Sequence, residues 1–146
     1  MEKIKINKED VYKVEVNDNG DYIEFDLLDI ELPMRIYNLS KELTKQAEFY
    51  NHKVESVEKE YKNDPTMLFI TKSKVDNDFC NKLRSEFDKV LGEGACQKIF
   101  GSTNRIGMFD ELFEQLVPVF EHIEEESKKI KDRLVKKYSV DSEKEI

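Results

Sequence analysis

The sequence predicts a mainly α fold in which long antiparallel helices form a small bundle or helical hairpin, preceded by an N-terminal β-hairpin. Three observations carry this expectation. Apolar residues recur at steps of three and four over most of the chain. Two alternating segments near the N-terminus flank an Asn-Gly pair. Three of the five glycines fall within residues 91–101, Leu-Gly-Glu-Gly-Ala-Cys-Gln-Lys-Ile-Phe-Gly, between two helical stretches.

A chain of 146 residues is the size of one ordinary domain. Charged residues make up 38% of it, well above the roughly 25% of typical globular domains, so a modest core and a large surface are expected. The formal net charge of −8 argues against general nucleic-acid binding and against docking on anionic lipid. The longest conspicuous apolar run, Met67-Leu68-Phe69-Ile70, is far too short to span a bilayer. Two cysteines without ligand-like spacing, and no signal peptide, suggest a soluble protein of a reducing cytoplasm. Both thiols are expected to pack as small apolar groups.

Residues 1–10 are mixed polar and expected to fray. Val14 and Val16 alternate with charges, as do Ile23, Phe25 and Leu27. Asn17-Asp18-Asn19-Gly20-Asp21 lies between them, and its Asn-Gly pair predicts a type I′ turn. An isolated hairpin is marginal in water, so its apolar face must pack on the helices or pair with another chain. Residues 1–28 are therefore read as a segment packed on a helical domain spanning 29–138.

The first helix is carried by Leu32, Ile36, Leu39, Leu43, Ala47, Tyr50, Val54, Val57 and Tyr61, with Pro33 in its first turn. It should end near Asn63-Asp64-Pro65. Residues 63–72 can open or break a helix. Ser73 with Asp76 resembles a helix-start signature, and Val75, Phe79, Leu83, Phe87 and Val90 continue the stripe. Gly92 and Gly94 interrupt it and are expected to let two helices meet closely. Ala95 to Phe100 can form one or two turns, closed by Gly101 in αL geometry.

A last helix is expected from Met108 to Tyr138, kinked at Pro118. Glu124 with Lys128, Glu125 with Lys129 and Asp132 with Lys136 have the spacing of helical ion pairs. Residues 139–146 are read as a disordered charged tail.

Catalytic and metal chemistry find little support. His52 and His122 lie on different predicted helices without metal-ligand spacing. Cys96 could sit at a helix N-terminus, which lowers thiol pKa, but has no histidine beside it to act as base. Gly92-Glu93-Gly94 lacks the spacing, the lysine and the preceding strand of a phosphate loop. The expectation is a non-enzyme with no cofactor and no metal. Three stripes and a hairpin make a thin body, which leaves apolar grooves for a partner's amphipathic helix.

The stretch 88–120 resembles a known family. It reads Asp-Lys-Val-Leu-Gly-Glu-Gly-Ala-Cys-Gln-Lys-Ile-Phe-Gly, then a short polar loop, then Met-Phe-Asp-Glu-Leu-Phe-Glu-Gln-Leu-Val-Pro-Val-Phe. This is similar to the tail assembly chaperones of long-tailed bacteriophages and prophages of Gram-positive bacteria. The close match covers about a quarter of the chain. The resemblance implies a protein that binds the tape measure protein in the host cytoplasm, keeps it soluble and is absent from the finished virion. It also implies a longer frameshifted form that recruits tail tube protein. Ile99, Phe100, Phe109, Leu112, Phe113 and Leu116 are then expected to form the partner-binding hub, against the plainer reading that all six are core. Two other readings stay open: an acidic adaptor or inhibitor of a basic partner, and a small structural virion subunit. Self-association is open as well.

Overall fold

The computed structural model describes residues 1–6 and 10–144. It contains β1 (Val11–Glu15), β2 (Tyr22–Asp26), α1 (Leu32–Glu60), α2 (Pro65–Leu91), α3 (Ala95–Phe100) and α4 (Met108–Lys144). No helix among the described residues is long and apolar enough to cross a membrane.

β1 and β2 pair antiparallel, with Tyr12 opposite Phe25 and Val14 opposite Ile23. Alternation puts Ile23 and Phe25 on one face, where both are buried. The turn differs from the type I′ expectation. Gly20 has φ 84°, but no described residue other than glycine has positive φ, so Asn19 does not supply the second left-handed position. A longer loop closes instead where Val16 N–H donates to the Asp21 carbonyl at 3.0 Å. Asn17 Oδ1 organises it by accepting from the backbone N–H of Asn19 at 2.9 Å and of Asp21 at 3.2 Å. A side chain that can mimic a backbone acceptor has replaced the tighter turn.

α1 has 29 residues, so it is about 44 Å long. Asp29 accepts from the Glu31 N–H and from Arg35, whose bond to it holds its carboxyl below the usual range. α2 begins earlier than Ser73. Asp64 caps it by accepting from Met67 N–H at 3.1 Å, and Pro65 occupies the first turn, where its missing donor costs nothing. The Ser73 signal is overruled because the helix is already running there.

α1 and α2 form an antiparallel arm. Tyr50 stacks on Phe79 with centroids 4.6 Å apart and donates its hydroxyl to Asp76. Further out, Lys72 pairs with Glu58 at 3.0 Å and Val57 is buried. Two helices alone leave most of their surface wet, and the core gathers at the arm's foot. Phe87 is 1% exposed and Cys96 is equally enclosed. Leu39, Leu83, Leu91, Ala95, Phe109, Leu112 and the strand residues Ile23 and Phe25 belong to the same cluster. Cys80 is only partly buried, so the expectation of two enclosed thiols holds for Cys96 alone.

α4 is continuous across the exposed Pro118. It lies along the β-hairpin, where Phe120 meets Phe25 edge-on at 6.1 Å and Ser127 Oγ donates to the Leu27 carbonyl at 3.2 Å. It runs on to Lys144, so residues 139–144 are helical where a disordered tail was expected; residues 145–146 lie outside the described ones. Extending a formed helix costs little once its first turn exists. The three expected ion pairs do not close, and Lys129 pairs with Glu126 at 3.2 Å instead. Exposed pairs of this kind gain too little to fix one partner.

Phe87→Ala should cost about 3–5 kcal/mol of unfolding free energy in urea titrations, because the arm's foot cannot collapse around the void. A loss below about 1 kcal/mol would show that the core is not centred there. The alkaline limb carries a second signature. Burial, then the nearby Asp88, pushes the Cys96 thiol from 9.0 up to about 12. The Asp76 hydrogen bond, then burial, pushes the Tyr50 phenol from 10.0 up to about 12. Both groups stay protonated in the fold when the unfolded chain has released their protons. On the alkaline side stability should therefore be flat from about pH 7 to about pH 9 and fall as pH rises toward about 12, and Tyr50→Phe should shrink that slope.

Candidate functional site

An open furrow of about 490 Å³ lies between the hairpin, α3 and the first half of α4. Its floor is apolar. Val14, Val16 and Ile23 come from the hairpin, Ile99 and Phe100 from α3, and Met108, Leu112, Leu116 and Val119 from α4. Glu15, Thr103, Arg105, Glu111 and Gln115 complete the lining with polar groups.

Each wall is held by bonds the local sequence provides. Asn17 Nδ2 donates to the Lys98 carbonyl at 3.0 Å, tying the hairpin loop to α3. Asp88 Oδ1 accepts from Cys96 N–H at 2.9 Å and so caps the start of α3 from α2. The loop between α3 and α4 is pinned to α2 through Arg84, which donates to Asn104 Oδ1 at 2.7 Å and to the Thr103 carbonyl at 3.3 Å. Asn104 in turn donates to Asn77 Oδ1 at 2.6 Å and to Asn81 Oδ1 at 3.0 Å. The Arg84 guanidinium lies 5.6 Å from the Phe100 ring centre, and Phe109 packs between Phe100 at 5.2 Å and Phe87 at 5.4 Å. α2 is thus the frame from which the furrow hangs.

The six expected hub residues divide three ways. Ile99 and Phe100 are half-buried and line the furrow. Leu112 and Leu116 line it from within the core, and Phe109 is buried behind it. Phe113 is 38% exposed and lies outside the lining, because it follows Leu112 by one residue and so points about 100° away around the helix. The lining residues missed are Val14, Glu15, Val16 and Ile23 of the hairpin, Thr103 and Arg105 of the α3–α4 loop, and Met108, Glu111, Gln115 and Val119 of α4. Alternation identified the apolar face of Val14, Val16 and Ile23 but not that it would meet α3 and α4.

The connector glycines act through backbone conformation. Gly92 has φ 111° and ψ 154°, and Gly101 has φ 71° and ψ −159°. Both lie in a region essentially closed to other residues, and Gly101 is not in the αL geometry expected of it. Gly94 is left-handed at φ 76°. A Cβ built on any of them would meet nothing within 4 Å, so they do not serve close helix approach.

The furrow's chemistry is burial. Its walls can cover the apolar side chains of another molecule, each worth about 1.5–3 kcal/mol when fully enclosed, while the polar lining orients it. Cys96 lies in the core with its thiol 3.6 Å from the Arg84 carbonyl, and its raised pKa makes it a poor nucleophile. His122 Nδ1 is 3.3 Å from the Tyr12 hydroxyl, and His52 is exposed. Among the described residues no three His, Cys, Asp or Glu side chains gather as metal ligands.

Gly92→Ala should destabilise the protein by about 1–3 kcal/mol in thermal or urea unfolding although the site has room for a methyl group. A neutral outcome would mean that the backbone there relaxes to negative φ.

No curated protein and no solved structure matches the chain. Residues 19–145 match a family model described as a family of unknown function (DUF6673). That match takes in β2 and all four helices, and the chain belongs to this family.

Proposed function

We propose that this protein is a non-catalytic tail assembly chaperone that holds the tape measure protein of a long-tailed phage in the host cytoplasm until the tail tube forms. The observation that carries the reading is the furrow with its apolar floor, open to solvent between the hairpin, α3 and the first half of α4. A tape measure protein is a long helical client whose apolar stripes need temporary cover, and helix-in-groove docking supplies such cover reversibly. The similarity of residues 88–120 to that chaperone family supports the same reading, since this stretch builds two of the furrow's three walls. Absence from the mature virion, and recruitment of tail tube protein by a longer form, are parts of the proposal that rest on the resemblance alone.

The half-buried Ile99 provides the test, since it can be changed without opening the core. In co-expression with a tape measure protein, Ile99→Glu should lower the soluble client about tenfold, as loss of 1.4 kcal/mol or more of binding would. The variant's circular dichroism and melting temperature should stay close to those of the parent. Undiminished client solubility with the fold intact would reject the furrow as the client site.

A further inference from the structure

The charge and exposure of α4 follow a pattern that neither the core nor the furrow explains. Residues 110–126 carry seven acidic side chains and no Lys or Arg. Residues 128–137 carry six basic side chains and one acid, Asp132. The helix dipole favours acid at the start and base at the end, but only within the terminal turns, and these blocks run far beyond them. Ile130 is half-buried, whereas every side chain from 131 to 139 is exposed, so the basic block projects past the body.

A second stripe runs along the same helix, beside the buried one. Val117 and Val135 are 40% and 64% exposed, and about five turns separate them, which places both on one line of the surface. Glu121, Glu124, Lys128 and Lys131 continue that line at steps of three and four, all exposed. Tyr138, 65% exposed, extends it at the far end. Among the described residues none of these four charged side chains forms an ion pair.

We propose that this stripe is a self-association surface, on which α4 of a second copy of the chain packs antiparallel about a two-fold axis that crosses the stripe at the height of Glu126, whose own side chain faces away from it. That axis sets Val117 against Val135 of the second copy, Glu121 against Lys131 and Glu124 against Lys128. Every contact is repeated by symmetry, as an isologous interface requires. A parallel pairing would instead set acid against acid and base against base. The two-fold match between sign and position is what selects a second copy over an unrelated acidic or basic partner. This surface is separate from the furrow and does not depend on the client reading.

Sedimentation of the full chain at about 20 mM salt should give a dimer of the 17.3 kDa protomer that loosens about tenfold or more at about 0.5 M salt. The variant Glu121→Lys/Glu124→Lys, and separately Lys128→Glu/Lys131→Glu, should each be monomeric with unchanged helical circular dichroism. Mixed in equal amounts, the two should form a heterodimer, because each then supplies the sign the other lacks. Val117→Cys mixed with Val135→Cys should give a disulfide-linked dimer that neither forms alone. A parent protein that stays monomeric at high micromolar concentration in low salt would overturn the proposal. So would an oligomer indifferent to the charge reversals, or reversed variants that fail to pair on mixing.

Discussion

The structure depends on the stacked contact of Phe87 with Phe109, 5.4 Å between ring centres, at the foot of the helical arm. No pair of elements here can bury its own apolar surface. A two-stranded sheet has one useful face, and two antiparallel helices meet along one seam. Phe87 is the most enclosed large side chain of α2, and Phe109 opens α4. Their contact joins the arm to the last helix, and Phe100 packs edge-on against Phe109 to bring in α3. The sheet then closes over the remaining side with Ile23 and Phe25.

The furrow is a consequence of that economy. α4 reaches the rest of the molecule through long side chains, with Phe120 against Phe25 and Tyr12 against His122, so its backbone stands away from the sheet. The space between is lined by residues that are apolar because they are near the core, yet remain open because no further element covers them. A body with 38% charged residues does not have the apolar content to fill it. A partner with its own apolar face would complete the packing, which is why burial rather than bond-making is the chemistry proposed for it.

Charge is distributed with the same division of labour. On the arm, salt bridges such as Lys72 with Glu58 are exposed and contribute little. The hydrogen bonds that fix the furrow's walls come from shorter polar side chains: Asn17, Asp88, Asn104 and the shielded part of Arg84. Asn17, Asp88 and Arg84 thereby satisfy the Lys98 carbonyl, the Cys96 N–H and the Thr103 carbonyl, backbone groups at places where regular structure breaks and a missing bond costs most. Among the described residues the long charged side chains of α4, apart from Lys129 with Glu126, form no ion pair and are left to the solvent or to another copy.

The sequence by itself determined the element types and most of their extents. Period two around Ile23 and Phe25, and steps of three and four through α1, α2 and α4, state which face of each element is apolar, because side-chain direction follows from backbone geometry alone. The glycines at 92, 94 and 101 marked the chain reversals, since positive φ is a local property. Tertiary structure decided what those faces meet. Ser73 resembled a helix start, but Asp64 had already capped α2, and local signals do not rank themselves. Phe113 and Leu112 are equally apolar and adjacent, and only the position of the sheet made one lining and the other surface. The hairpin's share of the furrow was invisible for the same reason: Val16 and Ile99 are 83 positions apart, and nothing short of the folded core brings them together.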